Sequence, residues 1–236
     1  MTAMLDLLAV GAHPDDVEVH VGGLLALAAD RGLRAGILDL TRGELGSRGT
    51  PEIRRAEALE AARILGASRT TLDLPDGRFD EGEASRRAVM TALRTLRPTV
   101  LVIPAPEDRH PDHRRAHRLL RAAAFHAGLK GYPHEGEPWR VEALAWVGGE
   151  NPDRPDLVVD VSAAWARRMA AFDAFGSQFS PDPAQPAVRI AHPSFRRGIE
   201  GRAMHWGSLI QADFAEALWC EKPVPQALLK LLERLR

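Results

Sequence analysis

Strand-sized apolar runs alternate with helix-length segments along the first half of the chain, and no other feature narrows the possible folds as far. Leu5–Val10 is apolar and stops at Gly11; a helical pattern follows from about Asp16 to Arg31, with small and apolar residues where the inner face should be. The order repeats as strand Ala35–Leu40, helix Pro51–Leu65, strand Thr70–Leu74, helix Ala84–Leu96, strand Val100–Pro104 and helix Asp112–Ala127. Thr50 before Pro51 reads as an N-cap followed by proline at the first helical position. Strands separated by helices of this length are joined by crossovers. The expected architecture is therefore an α/β, mostly parallel sheet with helices on both faces.

Beyond about residue 130 the rhythm weakens. Leu144–Val147 and Leu157–Val161 read as strands, Ser162–Phe175 as a helix capped by Ser162, and Ser180–Pro193 as a loop. Ile199–Leu218 and Pro225–Arg236 read as helical segments. No repeat, low-complexity tract or linker divides the chain, and 236 residues with 45% apolar content can build one large core. Residues 1–236 are expected to form a single domain, with the core in about 1–130 and further strands, loop and helices of the same domain in 131–236.

Charge and cysteine content exclude several functions. Lys plus Arg (31) nearly equals Asp plus Glu (32), so no global positive field gathers nucleic acid or an anionic membrane. The apolar runs are strand-sized and no basic leader precedes the first of them, so a cytoplasmic, soluble protein with a small-molecule partner is expected. Cys220 is the only cysteine, which excludes an internal disulfide and a Cys-x-x-Cys metal or redox site. Phosphate-loop, nucleophile-elbow and dinucleotide-binding glycine motifs are absent. Gly22-Gly23 falls inside the first helix, where glycine is costly and is read as permitting close packing against the sheet.

Ligands of an open parallel sheet bind beyond the carboxyl ends of its strands, where strand order reverses. Four loops meet that description: Gly11-Ala-His-Pro-Asp-Asp16, Thr41-Arg-Gly-Glu-Leu-Gly46, Pro75-Asp-Gly77 and Ala105-Pro-Glu-Asp-Arg-His-Pro-Asp-His113. A single such motif reads more readily as carboxylates capping a helix beside a packed histidine. Two His- and Asp-rich loops on one sheet edge favour a metal. A catalytic zinc site usually has three nitrogen or oxygen ligands and keeps a fourth position open, and His13, Asp16 and His113 can supply that set. Asp15 is then left as general base, His110 as hydrogen-bond donor to an oxyanion, and Asp112 as the group that orients His110 and raises its pKa. His117 competes as a ligand because it lies i,i+4 from His113. Arg54 and Arg109, with Ser47 in the loop after the second strand, are the substrate-binding candidates, arginine because it grips carboxylates bidentately.

At these residues the sequence resembles the LmbE/PIG-L family of zinc-dependent N-acetylglucosaminide deacetylases. The resemblance is carried by Ala-His-Pro-Asp-Asp-Val-Glu at 12–18, Gly22-Gly23, Thr41–Gly46, Arg54, Ala61-Ala-Arg-Ile-Leu-Gly66 and Asp108–His113. It continues through Ser177-Gln-Phe179, Ile199-Glu200, Arg202 with Gly207, and Ala215-Glu216. It implies a Rossmann-like sheet, zinc on His13, Asp16 and His113, Asp15 as base and His110 as oxyanion stabiliser. Arg109 before His-Pro-Asp-His is similar to the bacillithiol-pathway branch, which implies N-acetylglucosaminyl malate as substrate. His20 stands where the family pattern has glycine. Related members assemble as oligomers, hexamers among them, which implies a homo-oligomer. Other conjugates, such as a chitooligosaccharide, remain alternatives, as does a protein that binds zinc or sugar without turnover; against the last stands Asp15, because storage needs no unligated base.

Overall fold

The structure, a computed structural model, describes residues 4–148 and 154–235. Strands β1 (Leu7–Gly11), β2 (Ala35–Asp39), β3 (Ser68–Thr71), β4 (Val100–Pro104) and β5 (Ala143–Val147) alternate with helices α1 (Asp16–Asp30), α2 (Pro51–Leu65), α3 (Glu83–Leu96) and α4 (Pro111–Ala127). Next come β6 (Leu157–Asp160), α5 (Trp165–Asp173), the single turn α6 (Gly176–Phe179), α7 (Pro193–Ser208), β7 (Ala215–Cys220) and α8 (Gln226–Leu235). They form one seven-stranded sheet in the order β3-β2-β1-β4-β5-β7-β6, with β1 to β5 parallel and β7 antiparallel to both its neighbours. The expected fold class is what the chain adopts.

Helices on both faces explain why β1 reads as an unbroken apolar run. Leu7 and Ala9 join a core with α1, α2, α5 and α8, whereas Leu8 and Val10 join a second core with α3 and α4. Thr50 caps α2 as expected, its side chain accepting from the Ile53 N–H at 3.3 Å. The chain leaves β1 for β2 on one side and later returns to β4 on the other. The strand order therefore reverses between β1 and β4, and the two His- and Asp-rich loops open at that switch point.

The chain departs from expectation at three places. The helix expected over Ile199–Leu218 ends at Ser208, and its last residues form β7. Ala215-Glu216-Ala217-Leu218 has helix-forming composition, but pairing with β5 on one side and β6 on the other overrides that preference. Ser162 does not cap a helix through Phe175: Ser162–Ala164 is a separate short 3-10 turn, and the Ser162 hydroxyl faces Phe214. The third strand, expected over Thr70–Leu74, runs from Ser68 to Thr71. Cys220 is buried in β7.

Gly22-Gly23 marks a break in α1, not merely a smooth packing face. Val21 is non-helical (φ −139°, ψ 22°), which frees the N–H groups that follow it. Glu216 accepts from Gly23 N at 2.8 Å and Leu24 N at 2.7 Å, while Arg168 pairs with Glu216 at 3.0 Å and donates to Val19 O at 2.6 Å. One ion pair from β7 and α5 thus caps both sides of the break and sets the angle of the Asp16–His20 turn. A Cβ on Gly23 would lie 2.8 Å from Val161 Cβ and 2.9 Å from Glu216 Oε1. Gly23→Ala is expected to cost about 1–3 kcal/mol by overpacking, which a melting curve would show as a drop of several degrees. An unchanged melting temperature would mean that the clasp yields freely.

Candidate active site

Asp15 is where the backbone is most distorted. It is the N-cap residue of α1, yet φ is 115° and ψ −28°, a region non-glycine residues seldom enter, and its side chain makes no capping bond. The capping explanation for this carboxylate therefore fails. Instead Arg54 donates to Asp15 Oδ2 at 3.1 Å, to Pro14 O at 2.6 Å and to Gly43 O at 2.9 Å. Gly43 makes that approach possible, since a Cβ there would lie 2.0 Å from Arg54 Nη1. Burial pushes Asp15 up to about 7, with Arg54 opposing and Asp16 adding to the rise.

His13, Asp16 and His113 converge beside it. Asp16 stands between the two rings, Oδ2 3.5 Å from His13 Nδ1 and Oδ1 3.2 Å from His113 Nε2. The outer nitrogen of each ring meets another carboxylate: His13 Nε2 faces Asp76 Oδ1 at 3.0 Å, and His113 Nδ1 faces Asp108 Oδ2 at 3.2 Å. Two imidazoles backed by carboxylates, with a third carboxylate between them, are the donor set and outer shell that a divalent cation such as zinc takes. Although burial opposes it, Asp16 and Asp108 raise His113 to about 10, and His113 and His13 hold Asp16 well below the usual carboxylate range. The rings balance negative charge that a cation would balance in their place.

Ligand atoms of His13, His110 and His113 lie within 4.8 Å of one another, as do those of His13, Asp76 and Asp112. The second group is poorly suited to a cation. Leu45 N already donates to Asp76, and Gly77 N and Arg115 already donate to Asp112. In the first group His110 accepts the Asp112 N–H on Nδ1 at 3.3 Å, which puts the proton of the neutral ring on Nε2 and makes it a donor. Burial and the neighbouring His13 and His113 lower the His110 pKa.

One assignment changes. Asp112 does not orient the His110 ring through its carboxylate: Oδ2 takes Gly77 N at 2.8 Å and lies 3.4 Å from His13 Nε2, and only its backbone N–H meets His110. The expected rise in His110 pKa is accordingly a fall. Arg54 also lines the cleft, where its guanidinium donates to Asp15 and to two backbone carbonyls. His117 is buried, with Nδ1 2.9 Å from Pro104 O and its edge against Trp146, so it packs the α4–sheet interface. Ser47 and Arg109 are exposed and line the cleft.

Asp76 and Asp108 were not singled out from the sequence. Both lie in strand-end loops that were, and the available signal was an aspartate in a loop adjoining a histidine motif. The cleft that holds these groups has a volume of about 550 Å³. Val188, Arg189, Ile190 and Phe195 form its far wall, and Arg48 anchors the preceding loop by donating to Ser180 O and Asp182 O. His20 also lines it; burial, with Arg202 nearby, lowers its pKa to about 3 and keeps it neutral.

Residues 8–124 match the family described as PIG-L: GlcNAc-PI de-N-acetylase. A 1D-myo-inositol 2-acetamido-2-deoxy-alpha-D-glucopyranoside deacetylase from Rhodococcus jostii is 30% identical, over 83% of this chain and 92% of the relative. A protein of the same name from Rhodococcus opacus is matched over only 60% of its own length. The diacetylchitobiose deacetylase of Thermococcus kodakarensis is 29% identical over 75% of this chain and 71% of its own. The crystal structure of a conserved protein from Thermus thermophilus superposes with a TM-score of 0.85 at 44% identity, covering 94% of this chain and 96% of that one.

Proposed function

This chain belongs to the PIG-L family of GlcNAc-PI de-N-acetylases, and from that premise we propose that it removes the N-acetyl group of an N-acetylglucosamine conjugate with the help of zinc. The observation that carries the reading is Asp15, a buried carboxylate in a left-handed backbone position that caps nothing and is held by Arg54 beside the His13, Asp16 and His113 donor set. Those three residues would hold the ion. When bound, zinc supplies Lewis acidity and a water acidic enough to lose its proton near neutral pH.

Asp15 takes the proton of the attacking water as the acetyl carbonyl is attacked, and returns it to the departing amine. His110 donates from Nε2 to the oxygen that gains charge. Asp76 and Asp108 accept from the outer nitrogens of His13 and His113, which sets the orientation of both rings. Acetate and a free 2-amino sugar leave.

For the conjugate itself we propose malate, with Arg109 at the rim as one carboxylate partner, and a cytoplasmic homo-oligomer as the working form. Among the described residues no helix is long and apolar enough to cross a membrane. The test is release of free amine by the zinc-loaded protein from N-acetylglucosaminyl malate, N-acetylglucosaminyl inositol, diacetylchitobiose and plain N-acetylglucosamine. The malate conjugate should have the highest kcat/KM. Preference for another conjugate would overturn the malate assignment alone; no amine from any would overturn the deacetylase reading.

A further inference from the structure

Buried arginines in this chain are matched to partners. Arg54 meets Asp15, Arg69 meets Asp39 and Glu18, Arg168 meets Glu216, and Arg48 and Arg94 are spent on backbone carbonyls. Arg202, in the middle of α7, differs. It is half-buried in the wall of the cleft that holds Asp15 and His113, and among the described residues it has neither a hydrogen bond nor a carboxylate partner. The charged group that acts on it most is Arg189, a second cation on the same wall.

A guanidinium does not deprotonate to escape such a position. A half-drained cation with its donors unspent is unfavourable until an anion enters. We infer that Arg202 forms an anion subsite that selects aglycones carrying a carboxylate or a phosphate group. The inference rests on the deacetylase reading for the place of the sugar, with the acetamide toward Asp15 and His110 and the aglycone toward α7. A cleft of about 550 Å³ holds a sugar together with a small acidic group. Malate carries two carboxylates, and Arg202 has its donors available for one of them.

The experiment compares kcat/KM of the zinc-loaded protein on three N-acetylglucosaminides: the malate conjugate, the glycerol phosphate conjugate and the neutral methyl glycoside. The wild type should favour at least one anionic conjugate over the neutral one, and which of the two it favours separates carboxylate from phosphate recognition. Arg202→Gln should cut the anionic-to-neutral ratio about 10- to 100-fold, the scale of a lost charge-assisted bidentate pair, and Arg202→Lys should recover part of it. Calorimetric titration of malate and of glycerol phosphate into both proteins is the second readout, with binding lost in Arg202→Gln at an unchanged melting temperature. An unaltered ratio in Arg202→Gln, or a wild type that binds neither anion, overturns the subsite. If no glycoside is deacetylated, the deacetylase reading falls, and the calorimetry still decides for or against the subsite.

Discussion

Replacing His113 by alanine is expected to remove both bound metal and activity. The ring stands between two carboxylates, with Nε2 3.2 Å from Asp16 and Nδ1 3.2 Å from Asp108, so its loss takes away one of three donors and the link between the α4 motif and α1. Two remaining protein donors are too few for a tight zinc site. Asp16 and Asp108 would also be left facing each other with no cation between them. Elemental analysis after dialysis should fall from about one ion per chain to near zero, and the free-amine signal should vanish with it. Full metal content in this variant would sink the ligand assignment. His110 would then be the candidate to test, because it lies in the same cluster of imidazoles while His117 is held in the core.

Asp15→Asn separates the base from the ligands. The amide is isosteric, asparagine tolerates left-handed backbone better than most residues, and its carbonyl oxygen can still accept from Arg54. His13, Asp16 and His113 are untouched, so metal content should stay near one per chain. Turnover should fall by roughly 10²–10⁴-fold, the usual contribution of a positioned general base. The pH profile offers a second mark. Burial pushes Asp15 up to about 7, and a nearby cation favours the ionised form and moves that value down. Since only the ionised carboxylate accepts a proton, wild-type kcat/KM should decline as pH falls through the Asp15 pKa, and Asp15→Asn should lose that limb. Near-normal turnover with zinc still bound would mean that another group activates the water.

Legibility differed between the two halves of the chain for a physical reason. From β1 to α4 the strands β1, β2 and β4 are buried on both faces and each helix follows in turn, so composition and period report these elements directly, while the exposed edge strand β3 is the one displaced from its expected bounds. From β5 onward the strands run both ways, and Ala215–Cys220 looks like the end of a helix because its residues favour one; only two neighbouring strands make it β7. The same division runs through the site. His13, Asp15, Asp16, His110 and His113 sit at the mouths of β1 and β4, where local pattern and the rule of the switch point suffice to find them. Which groups hold them was not legible. Asp76 reaches His13 across 63 positions of sequence, Arg54 reaches Asp15 across 39, and Glu216 reaches Gly23 across 193.

The sequence alone therefore determined the α/β alternation, the parallel core and the two motifs that meet at its reversal, because each is written in residues near one another in the chain. Tertiary structure alone decided that Arg54 serves Asp15, that Asp112 backs His13 instead of His110, and that Glu216 caps a broken α1. A side chain's partner depends on what the fold brings within about 3 Å of its polar atoms, and periodicity along one element carries no record of the others.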